Sequence, residues 1–132
     1  MCRSEYSKQA IKKIRAALDS FSPDPALITL TYRDSVSIRC IHDMRQRVTD
    51  FIQRAGGKRD IPWIATCDML HNGIYVHHHV VTQGLALVDQ DFIARCWEYG
   101  QVNFADTSDC VDLALYLSKC VYVFGHYHGG NL

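Results

Sequence analysis

The stretch Trp63-Ile64-Ala65-Thr66-Cys67-Asp68-Met69-Leu70-His71-Asn72-Gly73-Ile74-Tyr75-Val76-His77-His78-His79-Val80-Val81-Thr82 holds two β-prone runs on either side of Asn72-Gly73. Asn-Gly between such runs is a strong signal for a two-residue type I′ hairpin turn, because both central residues must tolerate a positive φ. The reading places strands over Trp63–Met69 and Ile74–Thr82. If Asn72-Gly73 is the turn, His71 faces Ile74, and every pair of opposed residues sums to 145. Asp68 then lies opposite His77, and Thr66 opposite His79. A four-residue loop keeps the same faces, whereas a three-residue loop would turn Asp68 to the other side.

Alternation along a strand sends His77 and His79 to one face, roughly 6.5–7 Å apart along the chain, and His78 to the other. Cross-strand partners share a face, so Asp68 joins His77 and His79. Two imidazoles and a carboxylate are a mixed nitrogen and oxygen donor set with room for open positions. Such a set suits Mg²⁺, Mn²⁺ or a similar ion better than a closed structural zinc site. The alternative is a hairpin whose histidines face solvent. Thr66 reads either as an ordinary β-branched strand residue or as a hydroxyl serving a ligand or metal-bound water.

Outward from the hairpin, Ser4–Leu18 reads as an amphipathic helix, with Ala10, Ile11, Ile14, Ala17 and Leu18 in helical period. Prolines 23 and 25 break it. Ala26–Tyr32 reads as a strand with Thr29 and Thr31 on one face and Ile28, Leu30 and Tyr32 on the other. Ile41–Arg54 is a second amphipathic helix, with Ile41, Met44, Val48, Phe51 and Ile52 as its apolar stripe. Gly56-Gly57 and Lys58-Arg59-Asp60 form the loop that follows. Asp89–Trp97 reads as a helix and Val102–Ala105 as a short strand. Asp106-Thr107-Ser108-Asp109 offers N-caps for a last helix reaching about Lys119. The Gly- and His-rich tail, Phe124–Leu132, with His126 and His128, is expected to be loosely held. The element order predicts an α+β fold with a central antiparallel sheet of four to five strands and flanking helices.

At 132 residues the chain has the size of one ordinary domain. Its net charge of zero argues against a uniformly basic nucleic-acid binder. The charge is polarised, however. Residues 1–60 carry 12 basic and 7 acidic side chains, a net +5, and residues 61–132 carry 2 basic and 7 acidic, a net −5. A basic half can hold phosphates and an acidic half a cation. The six cysteines lack any C-x-x-C spacing, which disfavours a zinc ribbon and leaves buried free thiols as the simpler reading. With no bilayer-length apolar run and no signal segment, a soluble intracellular protein with no membrane partner is expected. The last helix places Tyr116 and Lys119 three residues apart on one face. A tyrosine hydroxyl is a weak nucleophile near neutral pH unless a metal polarises its target and a cation stands beside it.

Together these residues resemble the HUH endonucleases, and among them the rolling-circle replication initiators. Ile28-Thr29-Leu30-Thr31-Tyr32 is similar to the first motif, His77-His78-His79 to the metal-binding His-x-His motif, and Tyr116-Leu117-Ser118-Lys119 to the Tyr-x-x-Lys motif, in the family's order. The resemblance spans about residues 26–120, within a single nicking and joining domain over 1–132. It implies a ferredoxin-like fold and a Mn²⁺ or Mg²⁺ ion held by Asp68, His77 and His79. It further implies Tyr116 as nucleophile and Lys119 as accessory catalytic group; Thr29 and Thr31 of the first motif, with Arg33 and Lys58 of the basic half, are expected on the DNA. Lys8, Lys12 and Arg45 in the basic half are further candidates for phosphate contact.

The implied reaction is nicking of single-stranded origin DNA, a hairpin or loop, through a 5′-phosphotyrosine that can be rejoined. Its implied setting is the cytoplasm of a prokaryotic host. The chain shows no phosphate-cradling glycine motif, so a host helicase or a longer polypeptide would supply unwinding. Relaxases place the tyrosine before the histidines. Related transposases tend to carry Gln four residues after it, where Cys120 stands here. Two-tyrosine initiators place their second tyrosine at that same position. A single-tyrosine plasmid or phage type therefore fits best. Two departures stand out: the middle motif residue is usually hydrophobic and here is His78, and the third ligand is often Glu and here is Asp68. Three readings compete with the nicking enzyme: a non-catalytic nucleic-acid-binding module of the same fold, a transposase-type domain, and an unrelated metalloprotein using the seven histidines and six cysteines.

Overall fold

The computed structural model describes residues 12–19, 21, 25–33, 41–57, 61–70, 75–83, 85, 88–105, 122–127 and 130–131. Helix α1 covers 12–19. It is followed by β1 (Ala26–Thr31), α2 (Ile41–Gly56), β2 (Trp63–Leu70), β3 (Tyr75–Thr82), α3 (Gln90–Arg95), β4 (Val102–Ala105), β5 (Tyr122–Tyr127) and β6 (Gly130–Asn131). The strands form one six-stranded sheet in the order β4-β1-β3-β2-β5-β6. Every neighbouring pair is antiparallel. The class is α+β as expected. The sheet exceeds the expected four to five strands through β5 and the two-residue β6.

The β2–β3 register is the one the hairpin reading requires. Trp63↔Thr82, Ile64↔Val81, Ala65↔Val80, Asp68↔His77, Met69↔Val76 and Leu70↔Tyr75 are partners. The turn residues Asn72 and Gly73 lie outside the described residues. The last described pair, Leu70↔Tyr75, is the one a two-residue turn at those positions demands.

Period-2 alternation divides the apolar residues between two layers. Ile28 and Leu30 of β1, Ala65 and Cys67 of β2, Val76 and Val80 of β3 and Phe124 of β5 pack with Met44, Val48, Phe51, Ile52 and Ala55 of α2. The α2 spacing keeps its apolar side chains on one stripe. Burial of each large apolar side chain contributes roughly 1.5–3 kcal/mol. Asp43 in the first turn and Arg54 in the last complement the helix dipole. Gly57, at φ 67°, takes the left-handed conformation that ends the helix. On the opposite face Leu27, Ile64 and Val81 pack with Ile14, Ala17 and Phe21, so the described part of α1 covers that end of the face.

The expectation of a loosely held tail is corrected: Tyr122–Tyr127 is a sheet strand, paired with β2 from Trp63↔His126 to Cys67↔Tyr122. Gly125, read as a sign of looseness, sits where strands crowd. A Cβ there would collide with the Trp63 carbonyl oxygen. Phe124 beside it is buried edge-to-face against Trp63, with ring centroids 5.9 Å apart. Among the described residues no helix is long and apolar enough to cross a membrane.

Candidate functional site

β3 is central because it pairs with both β1 and β2. The β1 register sets Thr29 opposite His79 and Thr31 opposite His77, and β2 sets Asp68 opposite His77. β4 extends the same face by placing Asn103 opposite Thr29. One face beyond the α1 cover therefore carries Asn103, Thr29, Thr31, His79, His77 and, by strand register, Asp68.

The His77 and His79 rings lie edge to face with centroids 4.9 Å apart. Metal–nitrogen bonds of about 2.1 Å, extended by about 1.1 Å to each ring centre, would give two imidazoles on a common ion near right angles roughly this spacing. The spacing is compatible with a shared divalent cation and is equally that of an ordinary edge-to-face ring contact. Thr29 Oγ1 and His79 Nδ1 are 3.2 Å apart. If His79 binds a metal through Nε2, Nδ1 keeps the proton and donates it to the Thr29 hydroxyl. That is the kind of partner that fixes the tautomer and ring angle of a metal-bound histidine. Thr29, expected on the DNA, thus has its hydroxyl on a candidate ligand instead. The Thr31 hydroxyl donates to the Gln101 carbonyl at 3.4 Å. Arg33 is exposed, and its Nη2 donates to the Glu98 carbonyl at 2.6 Å.

The Asp68 side chain lies outside the described residues, as do Lys58, Lys8, the expected helix with Tyr116 and Lys119, and the side chain of His126. Among the described residues no three His, Cys, Asp or Glu side chains gather as a metal site. The pair His77 and His79 is what the described structure brings together. Cys67 and Cys96 are buried thiols outside any disulfide, in keeping with the simpler cysteine reading, and the other four cysteines lie outside the described residues.

His78 turns to the other face and is fully buried. Its Nδ1 is 2.9 Å from the Thr66 carbonyl and its Nε2 is 2.6 Å from the Tyr32 hydroxyl. A carbonyl only accepts, so Nδ1 carries the proton. Burial lowers the His78 pKa from 6.5 to about 4 and keeps the ring neutral, which makes Nε2 an acceptor from Tyr32 O–H. Burial also raises the Tyr32 pKa to about 12, against the hydrogen bond and charge of Arg47, so the phenol keeps that proton. The Arg47 guanidinium lies 5.7 Å from the Tyr32 ring centre and 4.5 Å from that of Tyr99. Trp97 stands edge-on to Tyr32, Tyr99 and His78, and its Nε1 donates to the Thr31 carbonyl at 2.8 Å.

Sequence reasoning missed Arg47, Trp97 and Tyr99 in this cluster, and Asn103 on the other face. It had placed Tyr32 on the correct face of β1. What it lacked was the pairing of β1 with β3 across about 50 intervening residues, which no local pattern encodes. Comparison with family models, with curated proteins and with solved structures finds no match to this chain.

Proposed function

We propose that this chain is a metal-dependent endonuclease of HUH type that nicks and rejoins single-stranded DNA. The observation that supports the reading best is the register on one sheet face. Two histidines with 4.9 Å between ring centres stand opposite Thr29, Thr31 and Asp68, on the strand where the His-x-His motif was read. His77 and His79 would hold the cation, with Asp68 completing the set, and Thr29 would orient His79. A bound Mn²⁺ or Mg²⁺ supplies charge that polarises the scissile phosphate. Tyr116 gives up its phenolic proton to solvent and its oxygen attacks the phosphorus. The bond to the 3′ oxygen breaks, leaving a 5′-phosphotyrosine and, once the leaving oxygen takes a proton, a 3′-hydroxyl. Lys119 stabilises the developing negative charge. Attack by a 3′-hydroxyl on the phosphotyrosine reverses the step and joins ends.

Incubation with a pool of single-stranded stem-loop oligonucleotides and Mn²⁺, followed by a denaturing gel, should yield a covalent protein–DNA adduct. The adduct should vanish in Tyr116→Phe and in the His77→Ala, His79→Ala double variant. An adduct that persists in Tyr116→Phe, or none across a pool covering many loop sequences, overturns the reading. Strand binding that needs neither metal nor the two histidines would favour a non-catalytic binding module.

A further inference from the structure

The β2–β3 ladder changes character beside the candidate ligands. Backbone partners run from Trp63↔Thr82 to Ala65↔Val80 and resume at Asp68↔His77 in the same register. Between them the His79 backbone N–H donates to the Thr66 side-chain hydroxyl at 3.2 Å. The Thr66 carbonyl is taken by His78 Nδ1–H at 2.9 Å. Thr66 is fully buried and holds two adjacent histidines at once, one through each of its oxygens. His78 in turn accepts from Tyr32, whose ring centre lies 5.7 Å from the Arg47 guanidinium.

The direction of each bond follows from its neighbour. The Thr66 carbonyl forces the proton onto His78 Nδ1, the neutral ring then leaves Nε2 as acceptor, and Tyr32 must donate to it. The chain of hydrogen bonds runs through the thickness of the sheet, from Tyr32 on the α2-covered face to the backbone of His79. Among the described residues no buried side-chain nitrogen or oxygen lacks a partner, so its members are satisfied. Fully satisfied buried networks rigidify their surroundings.

We infer that Thr66, His78 and Tyr32 are positioning residues that hold the His79 backbone, and so set the height of its ring against His77. This rests on the metal-site reading above. It assigns a role to the polar residue that stands where the motif ordinarily carries a hydrophobic one. A hydrophobic residue there would fill the same space but could not brace the Thr66 carbonyl.

The test is Mn²⁺ affinity by electron paramagnetic resonance or calorimetry on the full chain, at a temperature where circular dichroism shows each variant folded. Thr66→Val removes the hydroxyl and should weaken Mn²⁺ binding about tenfold or more, in the range seen when partners of metal ligands are lost. Thr66→Ser restores the acceptor and should recover near-native affinity. Tyr32→Phe keeps the ring but removes the donor to His78, and should weaken binding in the same direction. Ile14→Val, in the separate α1 cluster, should lower stability while leaving Mn²⁺ affinity within about twofold. If Thr66→Val does not fold, Tyr32→Phe decides.

Wild-type affinity in Tyr32→Phe and Thr66→Val overturns the inference while leaving the metal site intact. A wild-type protein whose Mn²⁺ binding is absent, or unaffected by His79→Ala, overturns the metal-site reading and the positioning role with it.

Discussion

His78 and His79 are adjacent in β3 and have opposite surroundings. His78 is fully buried on the α2 face and bonded at both ring nitrogens. His79 is 8% exposed and shares the other face with the half-buried His77 and with Thr29 and Thr31. The same side chain is a structural strut on one side of a strand and a candidate ligand on the other. Residue type therefore says little about role here; strand parity and the layer each face meets say most. One face is closed along its length by α2, Trp97 and Phe124. On the other, among the described residues, α1 packs at the Leu27, Ile64 and Val81 end, and the polar end carries His77, His79, Thr29 and Thr31.

The sharpest way to break this contrast is to truncate each histidine in turn. His78→Ala opens a cavity and strands both the Tyr32 hydroxyl and the Thr66 carbonyl. It should cost about 3–5 kcal/mol of unfolding free energy in urea titrations. A cost no greater than that of His77→Ala would remove the distinction between the faces.

The next effect is acid sensitivity. In the unfolded chain His78 titrates near 6.5, and in the fold burial holds it at about 4. Between those values the unfolded state binds the extra proton. The His78 contribution is whole above pH 6.5 and is lost as pH falls toward 4, an amount on the order of 3 kcal/mol. Stability measured from pH 7 to pH 4 should fall more steeply for the native protein than for His78→Asn. Parallel profiles would place His78 in a wetter site than the fold shows. Tyr32 acts at the other extreme. With its pKa raised from 10.0 to about 12, its contribution is present below pH 10 and is lost as pH rises toward 12. Tyr32→Phe should flatten that alkaline loss.

On the polar face the effect should be metal-linked. Mn²⁺ at one hundred times its dissociation constant should stabilise the native protein by about 2.7 kcal/mol, read as a rise in melting temperature. The rise should disappear in the His77→Ala, His79→Ala double variant. A rise that survives in it would move the metal elsewhere. The smallest expected effect is on metal-free stability: His77→Ala should change it by less than about 1 kcal/mol. A larger loss would mean that His77 is as much a strut as His78.

Much of the candidate site was legible in the sequence because the hairpin is local. The pairing of Asp68 with His77 followed from Asn72-Gly73 and from counting, and β2 and β3 adopt that register. Helix α2 was visible from its apolar period and extends two residues past the expected end. Helix α3 lies within the expected Asp89–Trp97 span but is shorter, with Asp89 as its cap, the carboxylate accepting from Asp91 N–H. The strand at Tyr122–Tyr127 was not legible, because Gly125 and the neighbouring histidines read as loop. Only the crowding against Trp63 explains the glycine.

The sequence alone determined that His77 and His79 share one side of β3 and His78 the other, since side chains alternate with a period of two; the residue opposite on β2 followed if Asn72-Gly73 were the turn, and β2 and β3 adopt that register. The tertiary structure decided what those sides mean. Packing β1 against β3 brought Thr29 to His79 and Tyr32 to His78, and α2 packed on the face that carries His78 while α1 packed on the other. Those contacts join residues about 46 to 50 positions apart. They are selected by how whole layers bury their apolar surface, a condition that no short window of sequence expresses.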